Sequence, residues 1–196
     1  NPSLVGSEMC IRDRDCTDGT GLINDLTMNK KIPLENKSIL VIGAGGAARG
    51  IIPSFVLESP KKITVANRTL EKAERLITEL SKIESLSSKS SILIASGLKP
   101  EDLKDKHFDI VINATSVSTD PTLNLNLDKN IFTDASVALD LYYSQAFTSF
   151  MEAARDASVP LIIDGWGMLV EQAAESFLLW TGTKPSTAAL VAKHGE

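Results

Sequence analysis

Apolar and polar residues follow two rhythms along this chain. Six short runs are apolar at nearly every position: SILVIGAG, KITVANR, SILIAS, FDIVINATS, ASVALDLYY and PLIIDG. Runs of that length bounded by turn residues read as strands, and unbroken apolarity marks strands covered on both faces. Between them the apolar spacing changes to the helical one. TLEKAERLITELSKI is the clearest helix, with Thr69 as its N-cap and Leu70, Ala73, Leu76, Ile77 and Leu80 turned inward. GAARGIIPSFVLES reads as a helix with Pro53 inside it. An interior proline costs about 3 kcal/mol, so a kink or a locally adjusted turn is expected there. KPEDLKD, TSFMEAARDAS and the long apolar GMLVEQAAESFLLWTG complete the helices, and STAALVAKH closes the chain. TDGTGLINDLTMN reads as a loop entering a short helix through Leu22, Ile23 and Leu26, and SLSSKSS as a solvated polar loop.

Strands alternating with helices predict an α/β fold. The expected architecture is a doubly wound, six-stranded parallel sheet with right-handed crossovers and strand order 3-2-1-4-5-6, as in Rossmann-like domains. Ligands of such sheets bind beyond the C-terminal strand ends, where the order reverses.

The first strand runs into GAGGAARG, a G-x-G-x-x-A pattern set between a strand and a helix. Gly43 permits the tight turn, and Gly45 lets backbone N–H groups approach a pyrophosphate. Ala44 and Gly46 complete the loop, while Ala47 and Ala48 are small enough for close helix–strand packing. The same residues would also serve a strand–helix turn with no ligand. The end of the second strand separates the cofactors. A free ribose 2′-OH calls for Asp or Glu there. Here Asn67, Arg68 and Thr69 stand in that place, Lys72 follows one helical turn on, and Glu71 lies past the strand end. Arg68 can pair with a 2′-phosphate, which selects NADP; taken alone, it is equally a solvated surface charge.

Bulk properties narrow the partners. The 196 residues are 43% hydrophobic and 23% charged, a composition for a globular core. The net charge of −5 and the lack of a dense Lys/Arg block argue against nucleic acid. No apolar run approaches the roughly 20 residues of a spanning helix, and no secretory signal opens the chain, so no membrane partner is expected. Cys10 and Cys16 make no disulfide framework, which points to a reducing, cytoplasmic setting. No His/Cys cluster has metal-ligand spacing, so no metal is expected, and His107 and His194 read as surface residues. VGSEMCIRDR back-translates to a transposase-type sequencing adapter. Residues 1–14 are therefore expected to be an artefact or a disordered tail. The remaining division is a linker helix at 15–36, an NADP-binding domain at 37–165 and closing helices at 166–196.

Five segments resemble the shikimate dehydrogenase family in order and spacing: TDGTG (17–21), GAGGAARG with NRT, DIVINATS (109–116), DLYY (140–143) and DGWGMLVEQAAESFLLWTG (164–182). The resemblance runs from about Asp15 to the C-terminus. It implies NADPH-dependent, reversible reduction of 3-dehydroshikimate to shikimate in a cleft between an N-terminal substrate domain and a C-terminal Rossmann domain. It also implies that most of the substrate domain, with the family's catalytic lysine, precedes this chain, so that the fragment itself is inactive. A homodimer is expected of the full-length protein.

By the same resemblance Asp18 accepts a substrate hydroxyl and pairs with that lysine. A carboxylate alone is a poor proton donor at neutral pH, and a lysine beside it is placed for proton transfer. Without the resemblance, Asp18 before Gly19 reads as a turn residue. Gln172, whose amide both donates and accepts, suits a polyhydroxylated acid, or is a satisfied buried amide. Tyr143, at the end of the fifth strand, reaches substrate or forms a rim. Leu141 and Gly165 are implied to contact the nicotinamide half through backbone, with Thr115 and Ser116 nearby. Cys16 stands where the family more often has Asn, Ser118 where it usually has Gly, and Trp166 where the residue is often smaller; DPTLNLNL reads as a variable loop. The rival readings are a quinate/shikimate-type dehydrogenase that uses NAD, a non-catalytic nucleotide-binding module, and a relative of glutamyl-tRNA reductase.

Overall fold

The computed structural model describes residues 16–119, 125 and 127–193. The expectations for residues 1–14, Cys10, His194 and most of DPTLNLNL fall outside them. Six parallel strands form one sheet: β1 (Ser38–Ile42), β2 (Lys62–Ala66), β3 (Leu93–Ser96), β4 (Ile110–Asn113), β5 (Val137–Asp140) and β6 (Leu161–Ile163). Their order is β3-β2-β1-β4-β5-β6, as the alternation of elements predicts. The order reverses between β1 and β4, and the register there pairs Ile42 with both Ala66 and Asn113, and Asn113 with Asp140. The C-terminal ends of β2, β1, β4 and β5 therefore stand level, and the ligand-binding crevice of this fold lies above them.

The period of two along each strand builds two cores. Ile39, Val41, Ile110, Ile112, Val137 and Leu139 face one side, while Leu40, Ile42, Val111 and Ala138 face the other. The first core is covered by α1 (Thr17–Asn24), α2 (Gly46–Leu57) and α3 (Leu70–Leu80). The second lies under α5 (Pro100–Leu103) and α6 (Ser149–Asp156). The helix α2 runs on through Pro53.

Several local expectations need correction. TDGTG is helical, not a loop: α1 starts at Thr17 and passes into a π-helical turn over Asp25–Asn29, closed by Lys30 N–H donating to the Asp25 carbonyl at 2.9 Å. Its glycines serve close packing rather than a turn, since Gly19 and Gly21 are buried against neighbouring helices. SLSSKSS (85–91) is overlapped at its two ends by a short helix, α4 (Glu84–Ser87), and a 3-10 turn at Ser90–Ile92, and is anchored by the buried Leu86. Leu70 is exposed, because it stands in the first turn of α3, above the strand ends. Thr69 occupies the N-cap position but makes no side-chain cap bond.

The α1 end packs on α7 (Trp166–Thr181) through a buried carboxyl. Asp25 is fully buried; its Oδ1 accepts from Asn29 Nδ2 at 3.1 Å, and its Oδ2 has no partner. Burial raises its pKa; the Asn29 hydrogen bond and Lys30 oppose this, and Glu171 and Asp164 add to it. A carboxyl whose folded pKa is raised binds its proton more tightly in the folded state. Its contribution to stability is therefore present at low pH and lost as pH rises from about 4 through the raised folded value. Asp25→Asn is expected to be about 1 kcal/mol more stable than the parent at pH 8, a rise of roughly 2–4 °C in Tm, with the difference vanishing near pH 4. Tm measured against pH checks this, and a lower Tm at pH 8 contradicts it.

Candidate functional site

The loop after β1 sits in the crevice. Gly43 has φ 110°, a backbone region that side chains rarely enter, and an added Cβ would lie 3.0 Å from the Ala114 carbonyl oxygen. The helix α2 then starts with Gly45 at its N-cap and no side chain capping its first amides. Those N–H groups and the positive end of the helix dipole are available to an anion. A Cβ at Gly45 or Gly46 would meet nothing within 4 Å. No packing among the described residues requires either residue to lack a side chain. The open space above them fits a pyrophosphate drawn close to the backbone.

That space is part of a cleft of about 460 Å³. Gly43, Ala44, Gly45, Gly46 and Ala47 form one wall, Thr115 and Ser116 the opposite one, and Asn67, Arg68 and Lys72 the end at β2. Ten of the thirteen residues read from the sequence as cofactor-binding thus meet in one cleft. Thr69, Leu141 and Gly165 do not line it. Arg68 and Lys72 are exposed, and no salt bridge among the described residues engages either. Asn67 Nδ2 donates to the Thr69 carbonyl at 2.8 Å and so shapes the turn that carries Arg68.

A second group gathers where α1 crosses α7 and α2. Asp18 is half-buried in the first turn of α1, with Oδ2 against Gly50 of α2. One residue earlier, at the start of α1, Thr17 Oγ1 lies 3.3 Å from Gln172 Oε1 and 3.0 Å from Ser176 Oγ. Gln172 Nε2 donates to the Leu169 carbonyl at 3.3 Å. Asp18 is therefore a helix residue and not the turn residue that its glycine neighbour suggests.

Tyr143 lies three residues beyond the end of β5 rather than on the strand. Its ring meets Trp166 with centroids 5.0 Å apart and planes inclined at 46°. Trp166 Nε1 also donates to the Leu190 carbonyl at 3.1 Å, which ties the site edge to α8 (Ala188–Ala192). Leu141 and Gly165 come together: a Cβ on Gly165 would lie 2.1 Å from the Leu141 carbonyl oxygen.

A buried polar network beneath the crevice escaped the sequence reading. Asp140 has no exposed surface. Its Oδ1 accepts from Asn113 Nδ2 and from the Tyr142 N–H, both at 3.1 Å. Its Oδ2 accepts from Ser118 Oγ at 2.6 Å and Thr148 Oγ1 at 2.7 Å. These four hydrogen bonds offset the cost of burying the carboxyl, which the half-satisfied Asp25 bears. The sequence signal was an Asp and an Asn inside otherwise apolar strands. Elsewhere, His107 is exposed and paired with Asp134. Among the described residues no acidic, His or Cys cluster could hold a metal ion, and no helix is long and apolar enough to cross a membrane.

Comparison with known proteins agrees with this geometry. The profile for shikimate/quinate 5-dehydrogenase matches residues 25–130, and that for the shikimate 5′-dehydrogenase C-terminal domain matches 165–192. A shikimate dehydrogenase (NADP(+)) of Nitrosospira multiformis is 42% identical over 191 residues, 97% of this chain and 65% of that relative. The chain thus spans less than two thirds of the relative's length. An Ael1 enzyme of Pseudomonas putida has a crystal structure similar at a TM-score of 0.78 and 38% identity, covering 90% of this chain and 61% of that one. Shikimate 5-dehydrogenase of Thermus thermophilus, solved with NADP(H) and shikimate, aligns at a TM-score of 0.66 and 26% identity, covering 88% of this chain and 59% of its own. The crevice at the strand-order reversal and the profile match over more than half the residues lead to one conclusion: the chain belongs to the shikimate/quinate 5-dehydrogenase family.

Proposed function

We propose that this chain is part of a cytoplasmic, NADP-dependent shikimate dehydrogenase, which reduces the ketone of 3-dehydroshikimate to the alcohol of shikimate. The observation that carries the reading is the pairing of an open glycine cradle at Gly45 and Gly46 with an unengaged Arg68 at the end of β2. The first favours a pyrophosphate and the second a 2′-phosphate. The relatives' name, shikimate dehydrogenase (NADP(+)), points the same way.

In this reading the first-turn amides of α2 hold the pyrophosphate, and Asn67, Arg68 and Lys72 at the β2 end of the cleft hold the 2′-phosphate, with Thr69 beside them outside the cleft lining. When bound, the nicotinamide supplies the hydride. Thr115 and Ser116 border its half of the cleft, and Leu141 and Gly165, packed on each other outside the cleft lining, face it through backbone. Asp18 fixes a substrate hydroxyl as acceptor, Gln172 offers both donor and acceptor to the polyol, and Tyr143 closes the substrate side with its hydroxyl. The proton for the developing alkoxide comes from a group outside these assignments, since no lysine of this chain stands beside Asp18 in the family's motif.

Calorimetric titration of the chain with NADP and, separately, NAD tests the reading. NADP is expected to bind at least about tenfold more tightly, the worth of one charge-assisted contact to the 2′-phosphate. Equal or tighter NAD binding would favour the quinate-type rival. Absence of binding to both, in a sample shown to be folded, would reduce the loop to a structural turn.

A further inference from the structure

We propose that Ser118 is a positioning residue for the dinucleotide: its hydroxyl, held between Asn113 and the buried Asp140, fixes the wall of the cleft that faces the glycine loop. The inference rests on the NADP reading above and extends it to a residue outside the cofactor's reach.

The hydrogen bonds of Asn113, Thr115, Ser118 and Asp140 among the described residues fit one assignment of their protons. Asn113 Nδ2 has two protons, and they go to Asp140 Oδ1 at 3.1 Å and Ser118 Oγ at 2.9 Å. The single proton of Ser118 goes to Asp140 Oδ2 at 2.6 Å. Asn113 Oδ1 accepts from the Thr115 N–H at 3.1 Å and from Thr115 Oγ1 at 2.7 Å, and Thr115 Oγ1 accepts from the Val117 N–H at 3.3 Å. Each donor has one acceptor, so the segment from Thr115 to Ser118 is stitched to the ends of β4 and β5 in a single arrangement. Asp140 is rigid in turn, because Thr148 both donates to it and caps α6 by accepting from the Met151 N–H at 3.2 Å.

This segment is the wall opposite Gly43. An added Cβ on Gly43 would lie 3.1 Å from Thr115 Cγ2 as well as 3.0 Å from the Ala114 oxygen, so the wall and the loop are already in contact at the base of the cleft. Thr115, Ser116 and Val117 line the cleft above that contact. Release of the Ser118 end frees the wall to move relative to the loop and changes the width that a dinucleotide must match. Removing the hydroxyl also leaves Asn113 Nδ2 short of an acceptor and Asp140 Oδ2 short of a donor, both at buried positions.

Ser118→Ala and Ser118→Thr, with the parent chain, form the test. The parent is titrated with NADP first. Ser118→Ala is expected to raise the Kd for NADP roughly tenfold, and Ser118→Thr, which keeps the hydroxyl, to return it to within about threefold of the parent. Hydrogen exchange at the Thr115 and Val117 amides is expected to quicken in Ser118→Ala and not in Ser118→Thr. If the parent binds NADP and Ser118→Ala lowers Tm while leaving the Kd unchanged, Ser118 is structural only and the proposal is overturned. The same holds if Ser118→Thr fails to restore affinity while remaining folded. A parent that binds no NADP overturns the cofactor reading itself. Should Ser118→Ala not fold, the Kd of Ser118→Thr and the protection of the two amides in the parent, with and without NADP, still decide: unprotected amides in both states contradict the clamp.

Discussion

Arg68→Ala is expected to raise the Kd for NADP about 30-fold and to leave that for NAD within about threefold. The 30-fold loss corresponds to about 2 kcal/mol, the middle of the range for a charge-assisted hydrogen bond. Arg68 has no salt bridge among the described residues to break on binding, so its fork is available to the 2′-phosphate without a competing carboxylate. Lys72, one helical turn along α3, lines the same end of the cleft and keeps part of the attraction in the variant. The contact is exposed and is screened by salt, so the parent's preference for NADP should shrink between 50 mM and 500 mM salt, and the variant's dependence should be flatter. Arg68→Lys should fall between the two, because an ammonium keeps the charge and loses the planar pair of donors. Titrations of parent and variants with both nucleotides check the set. A similar loss for NAD and NADP would put Arg68 on a shared part of the dinucleotide and remove it from the 2′-phosphate.

What the sequence made legible was the part governed by local pattern. Strand runs such as SILVI and KITVA are apolar throughout because both faces of the sheet are covered, and that condition alone sets them apart from the helices. The glycine loop was legible because a tight turn and a close backbone approach each demand a particular residue at a particular step, and Arg68 was legible as a residue of the same cleft because it follows the end of β2. The misreadings share a different cause. TDGTG looks like a turn by composition, and becomes helix because Gly19 and Gly21 let α1 press against Gly50 of α2 and Gln172 of α7, far along the chain. Leu70 fits the apolar stripe of α3 yet stands in its first turn and is left 39% exposed. Asp140 and Asn113 show in the sequence only as polar residues in apolar strands. Their partners Ser118 and Thr148 follow from the level strand ends, which is a property of the sheet register. Long-range contacts of this kind decide where propensity is overridden.

Gly21→Ala is expected to destabilise the chain by about 3 kcal/mol, lowering Tm by roughly 6–12 °C. In an isolated helix the same change stabilises by close to 1 kcal/mol, so the sign of the effect is the test. The reversal comes from the crossing of α1 and α7. An added Cβ would lie 2.5 Å from the Gln172 nitrogen and 2.7 Å from its Cα. These are backbone atoms in the middle of a helix and cannot rotate away as the tip of a side chain does. Relief requires the two helices to part, which stretches the bonds that fasten them, including Asn24 Nδ2 to Glu175 Oε1 at 2.8 Å and Asn29 Nδ2 to Glu171 Oε1 at 3.0 Å. Gly45→Ala is the control. Its Cβ would meet no atom of the described residues within 4 Å, and its backbone at φ −92° suits any residue, so Tm should stay within about 2 °C of the parent. The two glycines therefore separate two uses of a missing side chain: Gly21 makes room for protein, whereas Gly45 leaves room for ligand, and only Gly45→Ala should weaken NADP binding at unchanged stability. A Tm for Gly21→Ala within 2 °C of the parent would mean that α1 lifts from α7 at little cost. In that event the spacing between Asp18 on the one helix and Gln172 on the other would not be fixed by this chain, and neither could be assigned to a substrate site from their positions in it.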